Sequence, residues 1–119
     1  MASILIADDD QTYRDSIQKV LERAGYCVES APDVDSALLA LRAMRFDLIV
    51  CDFRMPGKTG IDLLEELRRQ KSMVPVLMIS ACADAITEAR AMELGAVELL
   101  RKPIKRQTLI EQAARFAGG

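Results

Sequence analysis

LIVCDFRMPGKTG, residues 48–60, is the stretch on which the fold turns. Leu48 to Cys51 is a continuous apolar run, the pattern of a central parallel strand covered on both faces. Asp52 stands at its carboxyl end, and Arg54 to Gly60 is rich in turn formers. A helix follows, with Leu63, Leu64 and Leu67 at the spacing of one buried face. Strand, carboxylate, turn and helix together make one β-α unit.

The same unit recurs on either side, giving five in all. Ser3 to Ala7 is a short apolar run, and Ile17, Val20, Leu21 and Ala24 then mark a helix face that Gly25 closes. Tyr26 to Ser30 reads as a second strand, weakly alternating as suits a sheet edge. Asp33 is placed to cap a helix with a stripe of Val34, Ala37, Leu38, Leu41 and Met44. Pro75 precedes a fourth strand, Val76 to Ile79, where proline is tolerated. Asp84 caps a fourth helix carrying Ala85, Ile86, Ala89 and Met92, which Gly95 ends. Val97 to Leu100 is the fifth strand, and Leu109, Ile110, Ala113 and Phe116 mark the last helix, after which come Gly118 and Gly119. Repeated β-α units imply right-handed crossovers and an open parallel sheet with helices on both faces. The expectation is a single domain over residues 1–119, doubly wound α/β, flavodoxin-like, with strand order 2-1-3-4-5.

With 50% hydrophobic and 29% charged residues, the 119-residue chain has the balance of a globular domain rather than a disordered one. Aromatics are 4% and Trp is absent, so an aliphatic core is expected. A net charge of −2 gives no electrostatic footprint for nucleic acid or an anionic membrane. No apolar stretch reaches the roughly 18 residues of a membrane span, and no secretory signal is visible, so a cytoplasmic location is expected. Cys27, Cys51 and Cys82 form no CxxC pair, and His is absent, which leaves too few ligands for zinc. They read as small core residues in a reducing compartment.

Function concentrates where the strands end. Strand 1 runs into Asp8-Asp9-Asp10, strand 3 ends in Asp52, strand 4 in Ser80, and strand 5 precedes Lys102. In the 2-1-3-4-5 order these ends converge on one crevice. Asp10 is read as the N-cap of the first helix. Ser80 alone is most often a satisfied loop hydroxyl, and Lys102 alone a solvated lysine. Asp8, Asp9 and Asp52 are different: three carboxylates gathered at buried strand ends repel one another unless a cation intervenes. Hard oxygen ligands without His or Cys suit Mg²⁺ (or Mn²⁺). Metal, lysine and hydroxyl together meet the needs of phosphoryl transfer, for which Asp52 is the best nucleophile and Asp8 and Asp9 the metal pair.

These residues carry a family resemblance over essentially the whole chain. Asp8-Asp9 after strand 1, Asp52 followed by Met55-Pro56-Gly57 and Gly60, Ser80-Ala81 after strand 4, and Lys102-Pro103 after strand 5 resemble the receiver domain of bacterial two-component response regulators. The resemblance implies that Asp52 accepts a phosphoryl group from a phosphohistidine on a sensor histidine kinase or phosphotransfer protein. It implies a Mg²⁺ site formed by Asp8, Asp9, Asp52 and the Arg54 backbone carbonyl, and a Lys102 that contacts phosphoryl oxygens. It further implies a cis bond between Lys102 and Pro103, a switch through Ser80, and flanking of the hydrolytic water's path by Arg54 and Cys82. Self-association through the last two helices and control of an output such as transcription are also family expectations. In one respect the chain departs from the pattern. The family's aromatic switch residue, three positions before the lysine, is here Leu99, so movement of the helix after Ser80 is the expected carrier of the signal.

Two other functions compete. Asp8, Asp10 and Thr12 read as DxDxT, similar to the first motif of haloacid-dehalogenase-type phosphatases, with Asp8 as nucleophile and Asp10 as acid/base. That reading lacks a later acidic pair and leaves Asp52 and Met55-Pro56-Gly57 without a role. A receiver-like module that binds a partner without phosphorylation is favoured only by Leu99. A Rossmann nucleotide site is excluded by the absence of a glycine-rich turn after strand 1.

Overall fold

Residues 1–118 are described by the computed structural model; Gly119, the last residue of the expected domain, lies outside the described residues. Five strands, β1 (Ser3–Ala7), β2 (Cys27–Ala31), β3 (Leu48–Asp52), β4 (Val76–Ser80) and β5 (Glu98–Arg101), form one parallel sheet in the order β2-β1-β3-β4-β5. The helices are α1 (Gln11–Arg23), α2 (Val34–Ala43), α3 (Gly60–Arg69), α4 (Ala85–Glu93) and α5 (Arg106–Ala117). This is the doubly wound fold expected from the repeated β-α units. Both ends of β2 and both ends of β5 fall one residue later than their sequence patterns suggest.

Side-chain alternation divides the interior into two cores. Ile4, Ile6, Leu48, Val50, Leu77 and Ile79 point to one face, where Ile17 and Leu21 of α1 and Leu109 and Ala113 of α5 cover them. Leu5, Ala7, Ile49, Cys51, Val76 and Met78 point to the other, under Val34 and Ala37 of α2, Leu63, Leu64 and Leu67 of α3, and Ala91 of α4. Because β1, β3 and β4 are covered on both sides, their apolar runs are unbroken. The bulk of the core is aliphatic, as composition led us to expect, and Tyr26, Phe46 and Phe53 are buried beside it.

Other corrections concern helix ends. Ala24 is exposed because it is the C-cap of α1, and Met44 is 39% exposed because the chain has already turned to extended backbone there. The apolar residues that the sequence offers on α4 lie on its outer side: Ala85 and Ala89 are exposed, as are Ile86 (84%) and Met92 (48%). Only Ala91 is buried. Asp10, Asp33 and Asp84 cap their helices as expected, each accepting a backbone N–H from three residues on. Of the cysteines, only Cys51 is buried; Cys27 and Cys82 are exposed thiols.

Candidate functional site

Sheet register assembles the site. Ala7 pairs with Cys51, Asp52 with Ile79, and Ser80 with Arg101, so the residues just beyond the apolar runs of neighbouring strands lie side by side. Two further backbone bonds extend the ladder into the crevice: Asp8 N–H donates to the Ala31 carbonyl (3.0 Å) and Lys102 N–H to the Ser80 carbonyl (2.8 Å). Asp8, Asp52 and Ser80 are buried, while Asp9 projects to solvent at the rim. One carboxylate oxygen from each of Asp8, Asp9 and Asp52 falls within 4.8 Å of the others.

Lys102 is the cation that faces them. Its Nζ lies 2.7 Å from Asp8 Oδ2 and 2.9 Å from Asp52 Oδ2, with its side chain only 15% exposed. Burial works against its charge, but the hydrogen bond to Asp52 and the close ion pair with Asp8 prevail and hold its pKa above the ordinary lysine value. Burial pushes the Asp8 carboxyl up; the Lys102 ammonium and the Asp10 N–H oppose that, and the Asp52 charge adds to it.

Backbone and cap geometry orient the acids. Asp8 Oδ1 accepts the Asp10 N–H at 2.9 Å, and Asp52 Oδ1 accepts the Arg54 N–H at 3.2 Å. Arg14 Nη1 donates to the Asp8 backbone carbonyl at 2.6 Å. Gly60 opens α3 directly against the β3 end: a Cβ there would collide with the Asp52 carbonyl oxygen and come within 2.8 Å of Met78 Cε. The glycine of the sequence motif is therefore a spacer that lets α3 start beside the Asp52 carbonyl.

The remaining expected residues take the following places. The Lys102–Pro103 bond is cis. Arg54 and Cys82 are exposed and line a cleft of about 300 Å³ together with Phe53, Thr59 and Asp84. Leu99 is half-buried and packs against the core on the α2–α3–α4 side of the sheet. Asp10 Oδ1 accepts the Tyr13 N–H as the helix cap expected of it. Two neighbours were not legible from the sequence: Arg14 and Tyr13, the latter with its ring centroid 4.6 Å from Lys102 Nζ. Their place in the first turn of α1, just after the aspartates, is the only signal that could have drawn attention to them.

The donor set fits a hard divalent cation. All three candidate ligands are carboxylates, and the buried Asp8 Oδ2 has no well-directed hydrogen bond despite the nearby ammonium. A second cation against that oxygen would relieve the crowding of negative charge.

Comparison with known proteins agrees with this geometry. Residues 4–114 match the family model described as "Response regulator receiver domain". The chain is 39% identical over 117 residues to the transcriptional regulatory protein FixJ of Bradyrhizobium diazoefficiens, covering 96% of this chain and 57% of that one. It is 38% identical over 100 residues to the alkaline phosphatase synthesis transcriptional regulatory protein PhoP of Bacillus subtilis, covering 84% and 42%. The chain thus spans about half the length of these curated relatives. Among solved structures, the chemotaxis protein CheY4 of Vibrio cholerae superposes with a TM-score of 0.90 at 32% identity, covering 98% of each chain. A fold, a site and a family match that agree along almost the whole chain lead to one conclusion: the protein belongs to the receiver domains of two-component response regulators.

Proposed function

We propose that Asp52 accepts a phosphoryl group from the phosphohistidine of a sensor histidine kinase or phosphotransfer protein. The observation that carries this reading is the buried Asp52 carboxylate beside Asp8 and Asp9, with Lys102 Nζ 2.9 Å from Asp52 Oδ2. An Asp52 carboxylate oxygen attacks phosphorus, an O–P bond forms, and the N–P bond to histidine breaks with its electron pair left on the imidazole. Lys102 lies where it can exchange a carboxylate contact for one to a phosphoryl oxygen, and the Ser80 hydroxyl stands at the neighbouring strand end. Receiver domains generally bind Mg²⁺ in an acidic pocket. Here Asp8, Asp9, Asp52 and the Arg54 carbonyl would hold Mg²⁺ or Mn²⁺, which supplies positive charge to offset that on the phosphoryl oxygens.

Receiver domains are signalling modules rather than classical enzymes, so the product is a conformational state. Leu99 replaces the family's aromatic switch, and α4, which buries only Ala91, is the element least costly to displace. A Ser80 hydroxyl drawn to the phosphoryl group shifts the β4–α4 loop inward and α4 with it. Arg54 and Cys82, across the adjoining cleft, tune access of the hydrolytic water. The exposed Ile86 and Met92 of α4 support self-association through the last two helices, and the transcriptional regulators among the relatives support transcription as the output.

The test is intact mass after incubation with Mg²⁺ and acetyl phosphate, beside Asp52→Ala. One phosphoryl group gained by the natural chain and absent in the variant is the expected result. Gain that persists in Asp52→Ala but vanishes in Asp8→Ala would replace this reading with the phosphatase-like one. No gain from acetyl phosphate or any phosphorylated kinase would favour a phosphorylation-independent binding module. Comparison of free and beryllofluoride-bound structures tests the switch; an unmoved α4 would overturn it.

A further inference from the structure

Tyr13 presents its ring to Lys102, and three contacts fix its place. Its N–H donates to the α1 cap, Asp10 Oδ1, at 3.1 Å. Its hydroxyl accepts the Ile104 N–H at 3.2 Å, joining the first turn of α1 to the loop after Lys102. Between these anchors the ring lies 4.6 Å from Lys102 Nζ. Among the described residues, the charged partners of Lys102 Nζ are Asp8 and Asp52, the two carboxylates whose oxygens a metal would claim.

We infer that Tyr13 is a positioning residue for Lys102, its ring face holding the ammonium over the Asp52 crevice and its hydroxyl holding the loop that carries the lysine. This rests on the phosphoacceptor reading of Asp52 and adds a requirement to it. When phosphoryl transfer begins, Lys102 has to release carboxylate oxygen and take up phosphoryl oxygen. A cation tethered only by carboxylates is held in the ground-state place. An aromatic face attracts the ammonium through its quadrupole but carries no net charge and does not compete for metal or phosphoryl group. The ring thus limits the lysine's excursion to solvent while leaving it free to shift between oxygens, which is the pre-organisation that an electrostatic stabiliser needs.

The two halves of the tyrosine separate by substitution. Tyr13→Phe keeps the ring and loses the hydroxyl tie; Tyr13→Leu loses both. In the natural chain and in Tyr13→Phe, the Lys102 ε-methylene protons are expected to show the upfield ring-current shift and nuclear Overhauser contacts of a methylene over an aromatic face. Absence of both in the natural chain overturns the inference without any variant. With acetyl phosphate and saturating Mg²⁺, Tyr13→Leu is expected to lower the maximal rate of phosphoryl uptake by roughly tenfold, with Mg²⁺ affinity changed less than about twofold. Tyr13→Phe should retain uptake within about threefold, the ring being the larger contribution. Equal maximal rates in the natural chain and Tyr13→Leu overturn the positioning role. So does a fall in Tyr13→Leu matched by an equal loss of Mg²⁺ affinity, which marks a general distortion. If the natural chain gains no phosphoryl group at all, the phosphoacceptor reading fails instead, and the Lys102 proton shifts still decide whether the ring holds the lysine.

Discussion

At the scale of single residues, the site is a balance of three carboxylates against one ammonium, and each member has a measurable consequence. Asp8 is the most confined, fully buried and raised in pKa chiefly by that burial. A carboxyl that holds its proton more tightly in the native than in the unfolded chain lowers stability as pH rises from its ordinary 3.8 through the raised native value. Above both values its ionised form remains a cost. Asp8→Asn should therefore raise the metal-free melting temperature at pH 7 by roughly 3–6 °C, as read by calorimetry, and shrink the difference between pH 4 and pH 7. Gly60 works by occupying no space. Gly60→Ala forces a methyl group against the Asp52 carbonyl, so a destabilisation of about 1–3 kcal/mol by urea titration is expected, together with slower phosphoryl uptake.

Elements differ in how firmly they are held. Three leucines of α3 are buried, Leu63, Leu64 and Leu67, whereas α4 buries only an alanine. Leu63→Ala should cost about 2–5 kcal/mol of folding stability, while Ile86→Ala, 84% exposed, should stay within about 0.5 kcal/mol. Amide hydrogen exchange should follow the same order, with α4 opening well before α3. That contrast also shows what the sequence could disclose. Unbroken apolar runs revealed β1, β3 and β4, because burial on both faces leaves no room for polar residues, and Asp10, Asp33 and Asp84 marked their helix starts. The direction of α4 was not legible. Ala85, Ile86, Ala89 and Met92 are apolar at helical spacing, yet they form the outer face, and periodicity alone cannot tell an inner stripe from a docking one. The acidic residues of the site were readable from their strand ends. Tyr13 was not, because its function depends on a lysine that only the folded sheet brings beside it.

For the molecule as a whole, the charged crevice sits at one end of a two-sided core, and its electrostatic cost falls on the global equilibrium. A cation that binds only the native arrangement should stabilise the entire domain by mass action. Mg²⁺ at tenfold over its dissociation constant is expected to add about 1.4 kcal/mol, seen as a rise in melting temperature that Asp52→Ala diminishes. A melting curve indifferent to Mg²⁺ would place the metal elsewhere or nowhere.

The site draws on both ends of the chain: Asp8 and Asp9 follow the first strand, and Lys102 follows the last. A segment that stops short of Lys102 carries all three carboxylates without the ammonium that faces them. Without the fifth strand those carboxylates would repel one another unopposed, so the charged crevice is completed only when the far edge of the sheet is in place.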